Sequence, residues 1–490
     1  MIRLRTHALV GFLVLALAAG WHHLPKLGPG AYNWAETGNI ASALVQGRGF
    51  SDPFDGGTGP TAWVPPLPVL VDADVFLVGG IKSTASAALL MGLAVLGLSL
   101  AHLLIVGAVT IPRDRVQAGG WFRIAASVFF LGTLILLPSG PLEVQSEAWL
   151  IILLSLVLLR AALAHRARPG PRSRVGLVLA ALLCPLAHAG LCLATAIVLV
   201  WLFVIDRRAG RPVRTVILAG AVAAAVLGGW TARNARVFHR LIPLKSNGWF
   251  EVYLTNVASP TGLLRAETAY RTLPFFNAAQ FERYRVLGEI AFVDTYHGPA
   301  VAAIRADPGH FAKNVLTRAK NALAFCSEED GSQVTYTLFS ARDRLTLAGA
   351  GLLIPLGSPR LSAWLKIDDD PETAHDQIMD LHLQHGPAAW GDWAKSRAVY
   401  EETYHGIRPI VAGLLIAGFP LLMLFGTALA RHGSLPASTL WATVIAAAML
   451  APFILVNHSA RHQMPLLGLQ AVVVGGCFQA WAQRLLAKAP

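Results

Sequence analysis

Three glutamates in polar stretches of this chain have the chemistry of a general base. Glu36 lies in YNWAETGNIASALVQGRGFSDPFDGGTGPTAWVPPLP (32–68), at the start of a short helical pattern that leads into a loop rich in Gly and Pro. A carboxylate can accept a proton from an attacking hydroxyl or amine, or can hold such a group in place. Glu143 and Glu147 lie in PLEVQSEAWLIILL, at the head of an apolar run. Because the helix dipole also favours acids there, a structural role is preferred for Glu143, and the two roles are equally supported for Glu147.

Cationic residues in two other polar stretches could bind an anionic ligand. The stretch WTARNARVFHRLIPLKSN (230–247) contains Arg233, Arg236, Arg240 and Lys245. The stretch NHSARHQMP (457–465) contains His458, Arg461 and His462. Arg and Lys are common partners of phosphate oxygens, whereas two histidines without a nearby acid are a poor metal site. These stretches predict contacts to a phosphate-bearing ligand, with Arg461 favoured over the histidines; lipid headgroups are the alternative partners.

The composition places these residues in an integral membrane protein. Of the 490 residues, 54% are hydrophobic and 14% are charged, and the apolar runs are long enough to span a bilayer. The net charge of +12 resides mostly in short arginine-containing loops, which suits membrane orientation and anionic lipid. The basic stretch HRARPGPRSR (165–174) has no interleaved aromatic residues, which argues against nucleic-acid binding. The four cysteines are scattered, so neither a disulfide framework nor a metal centre is indicated.

The apolar runs predict an all-α polytopic bundle of about ten transmembrane helices. The first is MIRLRTHALVGFLVLALAAG, interpreted as a retained helix, with a cleaved signal peptide as the alternative. The other nine are expected at about 83–111, 121–138, 146–164, 174–190, 190–205, 213–230, 408–430, 436–456 and 464–484. The apolar segment 345–357 is shorter than the roughly 20 residues that a span needs, so it is expected to be interfacial or re-entrant.

The arginine distribution sets the expected topology and domain division. Clusters at 3–5, 113–115, 160–174 and 207–214 alternate with arginine-poor loops, so both termini are expected in the cytoplasm and the 25–82 loop outside. The expected parts are an N-terminal transmembrane core (1–230), an external, mostly helical region (231–407) and C-terminal transmembrane helices (408–490). Within the external region, 277–306 reads as helical, and Asp307 with Pro308 predicts the start of another helix.

These stretches together carry a resemblance to a known family. YNWAETGNIASALVQGRGF, SDPF and GPTAWVPPLP are similar to the first external loop of bacterial dolichyl-phosphate-mannose-protein mannosyltransferase-like proteins of the GT-C fold. GWTARNARVFHRLIPLKSNGWFEVYLTN is similar to the family's WTxRN…F…P(V/L)(R/K)SN stretch, and FERYRVLGEIAF is similar to the helix that follows it. ARHQMPLLGLQ is similar to the closing RYRxPxxP motif. The similarity covers roughly 30–330 and 400–485 in patches.

The resemblance implies a GT-C-like membrane glycosyltransferase in the bacterial inner membrane. The donor would be a polyprenyl-phosphate-linked sugar, and the acceptor an unknown lipid, glycan or protein on the periplasmic side. Glu36 matches the family's first-loop acid, as base or acceptor-positioning group, and Glu147 is expected to face it. The residues expected to contact the lipid phosphate or the sugar are Arg233, Lys245, Arg461, His458 and Trp63. No cofactor is firmly implied, and the participation of a divalent cation is left open.

Two alternative functions remain open at this point. A transporter or flippase for a lipid-linked saccharide would need the same spans and cations, but it predicts charged residues inside the spans, which are almost free of them. The second alternative is that the chain is a structural, catalytically degenerate member of the family. It is motivated by Leu67 and Pro68, where the family usually has a Tyr after the Pro pair, and by His462 in place of an aromatic–Arg pattern.

Overall fold

The computed structural model describes residues 6, 9–17, 36–108, 118–136, 147–259, 262–264, 266–324, 419–429, 435–457 and 464–487. Within these ranges the regular elements are helices, and the one strand-like pairing is an isolated antiparallel bridge between Ser51 and Pro60. The prediction of an all-α protein is therefore confirmed for the described part of the chain. The segment 345–357 lies outside it.

After the helical residues 9–17, the structure describes sixteen α-helices. Their bounds are α1 Glu36–Val45, α2 Pro66–Gly79, α3 Thr84–Ala108, α4 Ala118–Leu136, α5 Ala148–Ala167, α6 Pro171–Ala187, α7 Ala189–Arg208, α8 Arg214–Phe238, α9 Gly248–Asn256, α10 Ala266–Thr272, α11 Ala278–Leu287, α12 Glu289–Ala306, α13 Pro308–Ala324, α14 Phe419–Leu429, α15 Ala437–Leu455 and α16 Leu467–Ala487.

Five of these helices are long and apolar enough to cross a membrane: α3, α5, α7, α8 and α15. The ten expected spans are thus supported only in part. The span expected at 174–190 corresponds to α6, which has 17 residues, and the one expected at 408–430 is described only over Phe419–Leu429. The described part of the chain is therefore all-α, with five helices suited to a membrane.

Contacts between helices show in which direction they run. In the antiparallel pair α5 and α6, the Cys184 Sγ atom is 3.6 Å from the Leu154 carbonyl oxygen, and Gly176 packs against Ala161 further along. At the far end of α5, the His165 Nε2 atom is 2.8 Å from a carboxylate oxygen of Asp206, near the end of α7. α5 and α7 therefore both begin at one end of the bundle, and α6 ends there.

α15 runs antiparallel to α7 and ends at that same end. The rings of Trp201 and Trp441 stack with centroids 4.7 Å apart, and those of His188 and Phe453 stack at 4.9 Å. α8 follows α7 after a short turn and returns to this end as well. There it meets the loop 46–65, which connects α1 and α2. We call this end of the bundle the loop end.

The helices beyond α8 share a hydrophobic core with the loop 46–65. The loop contributes Phe54 and Trp63, and the helices contribute Phe250, Leu254, Tyr284, Phe292, Val293 and Tyr296. The predicted helicity of 277–306 is confirmed by α11 and α12, interrupted only at Gly288. The predicted cap is confirmed too, because an Asp307 carboxylate oxygen accepts the His310 N–H at 2.8 Å at the start of α13.

Arg318 of α13 fastens this helical region to the end of α15. Its side chain is fully buried, and its guanidinium donates to the carbonyls of Ile454 at 2.8 Å and Leu455 at 3.1 Å. These are carbonyls of the last turn, which have no partner within the helix and carry the negative end of its dipole. A third hydrogen bond goes to the Gly262 carbonyl at 2.9 Å. Among the described residues this buried cation has no carboxylate partner, and a helix terminus stabilises it instead.

The contact between α7 and α15 depends on the absence of a side chain at Gly190. A Cβ atom there would lie 2.9 Å from the Met449 Cα and would meet the Met449 carbonyl oxygen. We expect Gly190→Ala to push the helices apart and to cost about 1–3 kcal/mol, as overpacking of a core usually does. In Gly220→Ala on α8, the added methyl meets no described atom within 4 Å, so stability should hold or rise slightly. Thermal unfolding of both variants in detergent tests this, and equal midpoints would contradict the close approach.

Candidate functional site

Arg233, near the end of α8, holds the loop 46–65 by its backbone. Its guanidinium donates to the carbonyls of Thr61 and Phe50, both at 2.8 Å, and to the Asn234 side-chain oxygen at 2.9 Å. The same group lies 5.4 Å from the Phe50 ring centroid. A guanidinium has five N–H donors, so two remain for a ligand. Arg233 thus has a structural role that the sequence did not reveal, and its contact with phosphate stays a prediction.

Glu289, the first residue of α12, holds the same loop from the other side. Its side chain is 2% exposed. One carboxylate oxygen accepts the Ala62 N–H at 2.7 Å, and the other accepts the hydroxyls of Thr61 and Tyr284, the latter at 2.8 Å. Burial raises the pKa of the Glu289 carboxyl, while the hydrogen bonds from Thr61 and Ala62 act in the opposite direction. This residue was missed; the only signal was an acid inside the otherwise apolar LGEIAF.

Trp63 lies in the core beneath the loop. Its ring is 3% exposed and packs against Phe54, Phe250 and Tyr284, with centroid distances of 5.1, 5.5 and 5.9 Å. The aromatic ring therefore stabilises the loop by burial and edge-to-face packing. A direct contact of Trp63 with the sugar stays a prediction.

Lys245 lies on a segment whose backbone is fixed on both sides of it. The Leu244 carbonyl accepts the Trp230 indole N–H at 2.9 Å, and the Ser246 N–H donates to the Ala62 carbonyl at 3.0 Å. The Lys245 side chain is exposed and makes no hydrogen bond or ion pair within the described residues. Arg240, by contrast, pairs with Asp294 at 2.6 Å. Arg236 is likewise exposed without such a partner, so Lys245 and Arg236 are the cations of this stretch whose charges remain for a ligand.

The two predicted catalytic acids lie on different elements. Glu36 is the first residue of α1; it is half-buried and makes no hydrogen bond or ion pair within the described ranges. Glu147 precedes α5 at the loop end, and its backbone carbonyl accepts the N–H groups of Leu150 and Ile151, both at 3.1 Å. Its side chain does not cap the helix. That Glu36 and Glu147 face one cavity stays a prediction.

A third acid, Asp72 of α2, was missed and lies close enough to Glu147 to sense its charge. α2 packs through Leu67 and Val71 against the main core of the bundle, and Asp72 is half-buried beside them. Burial and the neighbouring charge of Glu147 raise the pKa of Asp72 to about 7. Its signal in the sequence was an acid in the apolar run LPVLVDADVFLVGG, which is too short to span a membrane.

The loop end thus brings together some of the predicted residues and leaves others undecided. It gathers Glu147, Arg233 and Lys245, with Asp72 as an addition. His458 and Arg461 lie outside the described residues. Among the described side chains, no group of three or more His, Cys, Asp or Glu could hold a metal ion, and the question of a divalent cation stays open. The arrangement can supply carboxylates for proton transfer and cations for an oxyanion beside apolar helices.

Comparisons with known proteins add no assignment. No family model, no curated protein and no solved structure matches the chain.

The carboxyl of Asp72 should make stability depend on pH. Since its pKa is raised from 3.8 to about 7, the folded state binds this proton more tightly than the unfolded state. The contribution of Asp72 to the free energy of unfolding is complete below pH 3.8. It is lost as the pH rises from 3.8 to about 7, and it changes no further at higher pH. Thermal unfolding at a series of pH values should show a flatter profile for Asp72→Asn than for the wild type. Asp74→Asn, an exposed site on the same helix, is the control, and an unchanged profile in Asp72→Asn would refute the assignment.

Removal of the Glu289 carboxyl should release the loop 46–65. Glu289→Ala leaves the Ala62 N–H and two buried hydroxyls without their acceptor, at a cost of about 1–3 kcal/mol for each group that stays unpaired. We expect a lower unfolding midpoint and faster limited proteolysis within the loop. Glu282→Ala, which breaks only an exposed pair with Arg285, should match the wild type. Equal cleavage of the two variants would show that Glu289 does not anchor the loop.

Proposed function

We propose that this chain is a membrane glycosyltransferase of the GT-C type that transfers a sugar from a polyprenyl-phosphate-linked donor to an acceptor. In this proposal the loop end faces the periplasm of a bacterial cell, about ten helices span the inner membrane and both termini are cytoplasmic. The observation that carries it is that the carboxyls of Asp72 and Glu147 lie at the same end of an apolar bundle as the exposed Lys245. Such a site can reach a donor whose lipid tail stays in the membrane.

The proposed reaction is a displacement at the anomeric carbon. A hydroxyl or amine of the acceptor forms a bond to that carbon while the bond from the carbon to the phosphate oxygen breaks. The bonding electrons leave with the phosphate, and the nucleophile's proton goes to a carboxylate. Lys245 and the two unused N–H groups of Arg233 would stabilise the charge that develops on the phosphate. A single displacement of this kind inverts the anomeric centre.

Glu36 is the proposed base or acceptor-positioning group, on the strength of the resemblance, with Glu147 as its partner. The pair of Asp72 and Glu147 is the alternative location for proton transfer, since a carboxyl that titrates near neutral pH is well matched to accept a proton. The two options place the base on different helices, α1 and α2. They can be separated by substitution.

Flipping of a lipid-linked saccharide is the competing proposal, together with a catalytically degenerate protein. A polar head group that crosses the bilayer needs charged or polar partners along its route. The buried contact of His165 with Asp206 lies at the end of the bundle opposite the loop end, where Arg211 also pairs with Asp206 at 3.1 Å. These groups join α5, α7 and the turn after α7. They are therefore better explained as contacts that stabilise helix packing than as a path for a head group across the bilayer.

The proposal is tested with purified protein in proteoliposomes, using polyprenyl-phosphate hexoses and pentoses as donors and an inner-membrane extract as acceptor. We expect Glu36→Gln to slow transfer by about 10²–10⁴-fold, the usual contribution of a general base. Asp74→Asn serves as the control and should transfer at the wild-type rate.

Three other results would change the assignment. Unchanged transfer by Glu36→Gln, with loss in Asp72→Asn or Glu147→Gln, would move the base to α2 and α5. Donor movement across the bilayer without transfer would favour a flippase. No transfer and no movement with any donor would favour a degenerate protein.

A further inference from the structure

His188 is a buried imidazole at the break between two helices. α6 ends at Ala187, α7 begins at Ala189, and the residue between them has extended backbone with φ −164° and ψ 141°. Its side chain is 8% exposed, and its ring stacks on that of Phe453. Because the α6–α7 break lies at the loop end, this ring is at the same end of the bundle as Glu147.

The ring of His188 differs from the other buried imidazoles of the described structure in its hydrogen bonds. His102 and His165 each use Nε2, which lies 2.8 Å from Ser127 and from Asp206 respectively. The Nδ1 atom of His188 is buried without a partner, and neither ring nitrogen makes a hydrogen bond within the described residues. Since buried polar atoms are usually paired, this one calls for an explanation.

Two neighbouring features show what kind of group would satisfy it. Lys245 lies at the same end of the bundle, because the helix that follows it donates the Thr255 hydroxyl to the Val456 carbonyl at 2.7 Å, three residues beyond the Phe453 that stacks on His188. A neutral imidazole offers one N–H donor. In addition, α7 is a 20-residue helix whose first N–H groups receive no side-chain cap. Those groups, the ring N–H and the ammonium all favour an anion.

An apolar stripe on α7 indicates that this anion has a lipid tail. Leu193, Ile197, Val200 and Val204 are each more than a third exposed, and their spacing places them on one face of α7. The stripe starts one turn beyond His188 and runs away from the loop end. A phosphate held at the start of α7 could therefore lay an isoprenoid chain along the same helix.

We propose that His188, Lys245 and the first turn of α7 form a pocket for the phosphate oxyanion of an isoprenyl lipid. The identification of that phosphate with the donor's phosphate rests on the proposed function. His188 contributes a neutral hydrogen-bond donor, Lys245 the charge, and α7 both the backbone N–H groups and the apolar face. When the bond between the anomeric carbon and the phosphate oxygen breaks, these groups would hold the phosphate that leaves.

Binding of farnesyl phosphate to the full chain in detergent, followed by its ³¹P resonance, tests the pocket. We expect His188→Phe and Lys245→Met each to raise Kd by about tenfold or more, as the loss of a charge-assisted hydrogen bond should. His188→Gln keeps an N–H donor and should stay within a few-fold of the wild type. Arg240→Met removes a cation of the same stretch that is already paired with Asp294, and it should bind like the wild type.

Competition distinguishes the possible sources of the phosphate. Farnesol, inorganic phosphate and phosphatidic acid should each displace farnesyl phosphate poorly. Equal displacement by inorganic phosphate would overturn the role of the tail, and equal displacement by phosphatidic acid would overturn selectivity for an isoprenyl lipid. Wild-type affinity in both His188→Phe and Lys245→Met would overturn the pocket itself. Tight binding that needs both residues, without any sugar transfer, would leave the pocket standing and refute only the glycosyltransferase proposal.

Discussion

Thr61 joins the loop 46–65 to both halves of the described structure. Its carbonyl accepts a hydrogen bond from Arg233 at the end of a candidate membrane span, and its hydroxyl donates to Glu289 at the start of α12. The same hydroxyl accepts a hydrogen bond from the backbone N–H of Trp63 at 2.9 Å. A single residue therefore fixes the loop 46–65 to both the apolar bundle and the helical region. Because α2 follows directly from this loop, the position of Asp72 depends on this arrangement as well.

The charges at this junction are separated in a way that suits a site. Arg233 and Glu289 hold opposite sides of the loop without pairing with each other, and each is satisfied largely by backbone and hydroxyl groups of the loop. A direct ion pair would have used up both charges locally. Lys245, on the segment that hydrogen-bonds to Ala62, stays without a carboxylate among the described residues. The fixed loop thus keeps a positive charge available close to the start of α7.

Local sequence signals predicted the helices well and the tertiary roles poorly. The helix start at Asp307 and Pro308 was predictable because a cap involves residues three apart in the chain. The partnership of Glu289 with Thr61 spans 228 positions, and that of Arg233 with Phe50 spans 183, so no local pattern could reveal either. Asp72 was overlooked for a different reason. An acid in an apolar run has no distinctive spacing, and its pKa is raised by burial and by the charge of Glu147, which precedes another helix.

The buried histidines show how the same residue type can be structural at one end of a bundle and a candidate ligand at the other. His165 faces Asp206, whose second carboxylate oxygen also lies 3.1 Å from Arg211, so this acid is shared between two partners and joins three segments. His188 is equally enclosed, but its Nδ1 atom is buried without a hydrogen-bond partner among the described residues. Substitution of Asp206, which joins these segments, should lower the stability of the protein whether or not a ligand is bound. In our proposal the enclosed ring of His188 gains its partner when an anion binds, and this difference is why we assign the chemistry to the loop end.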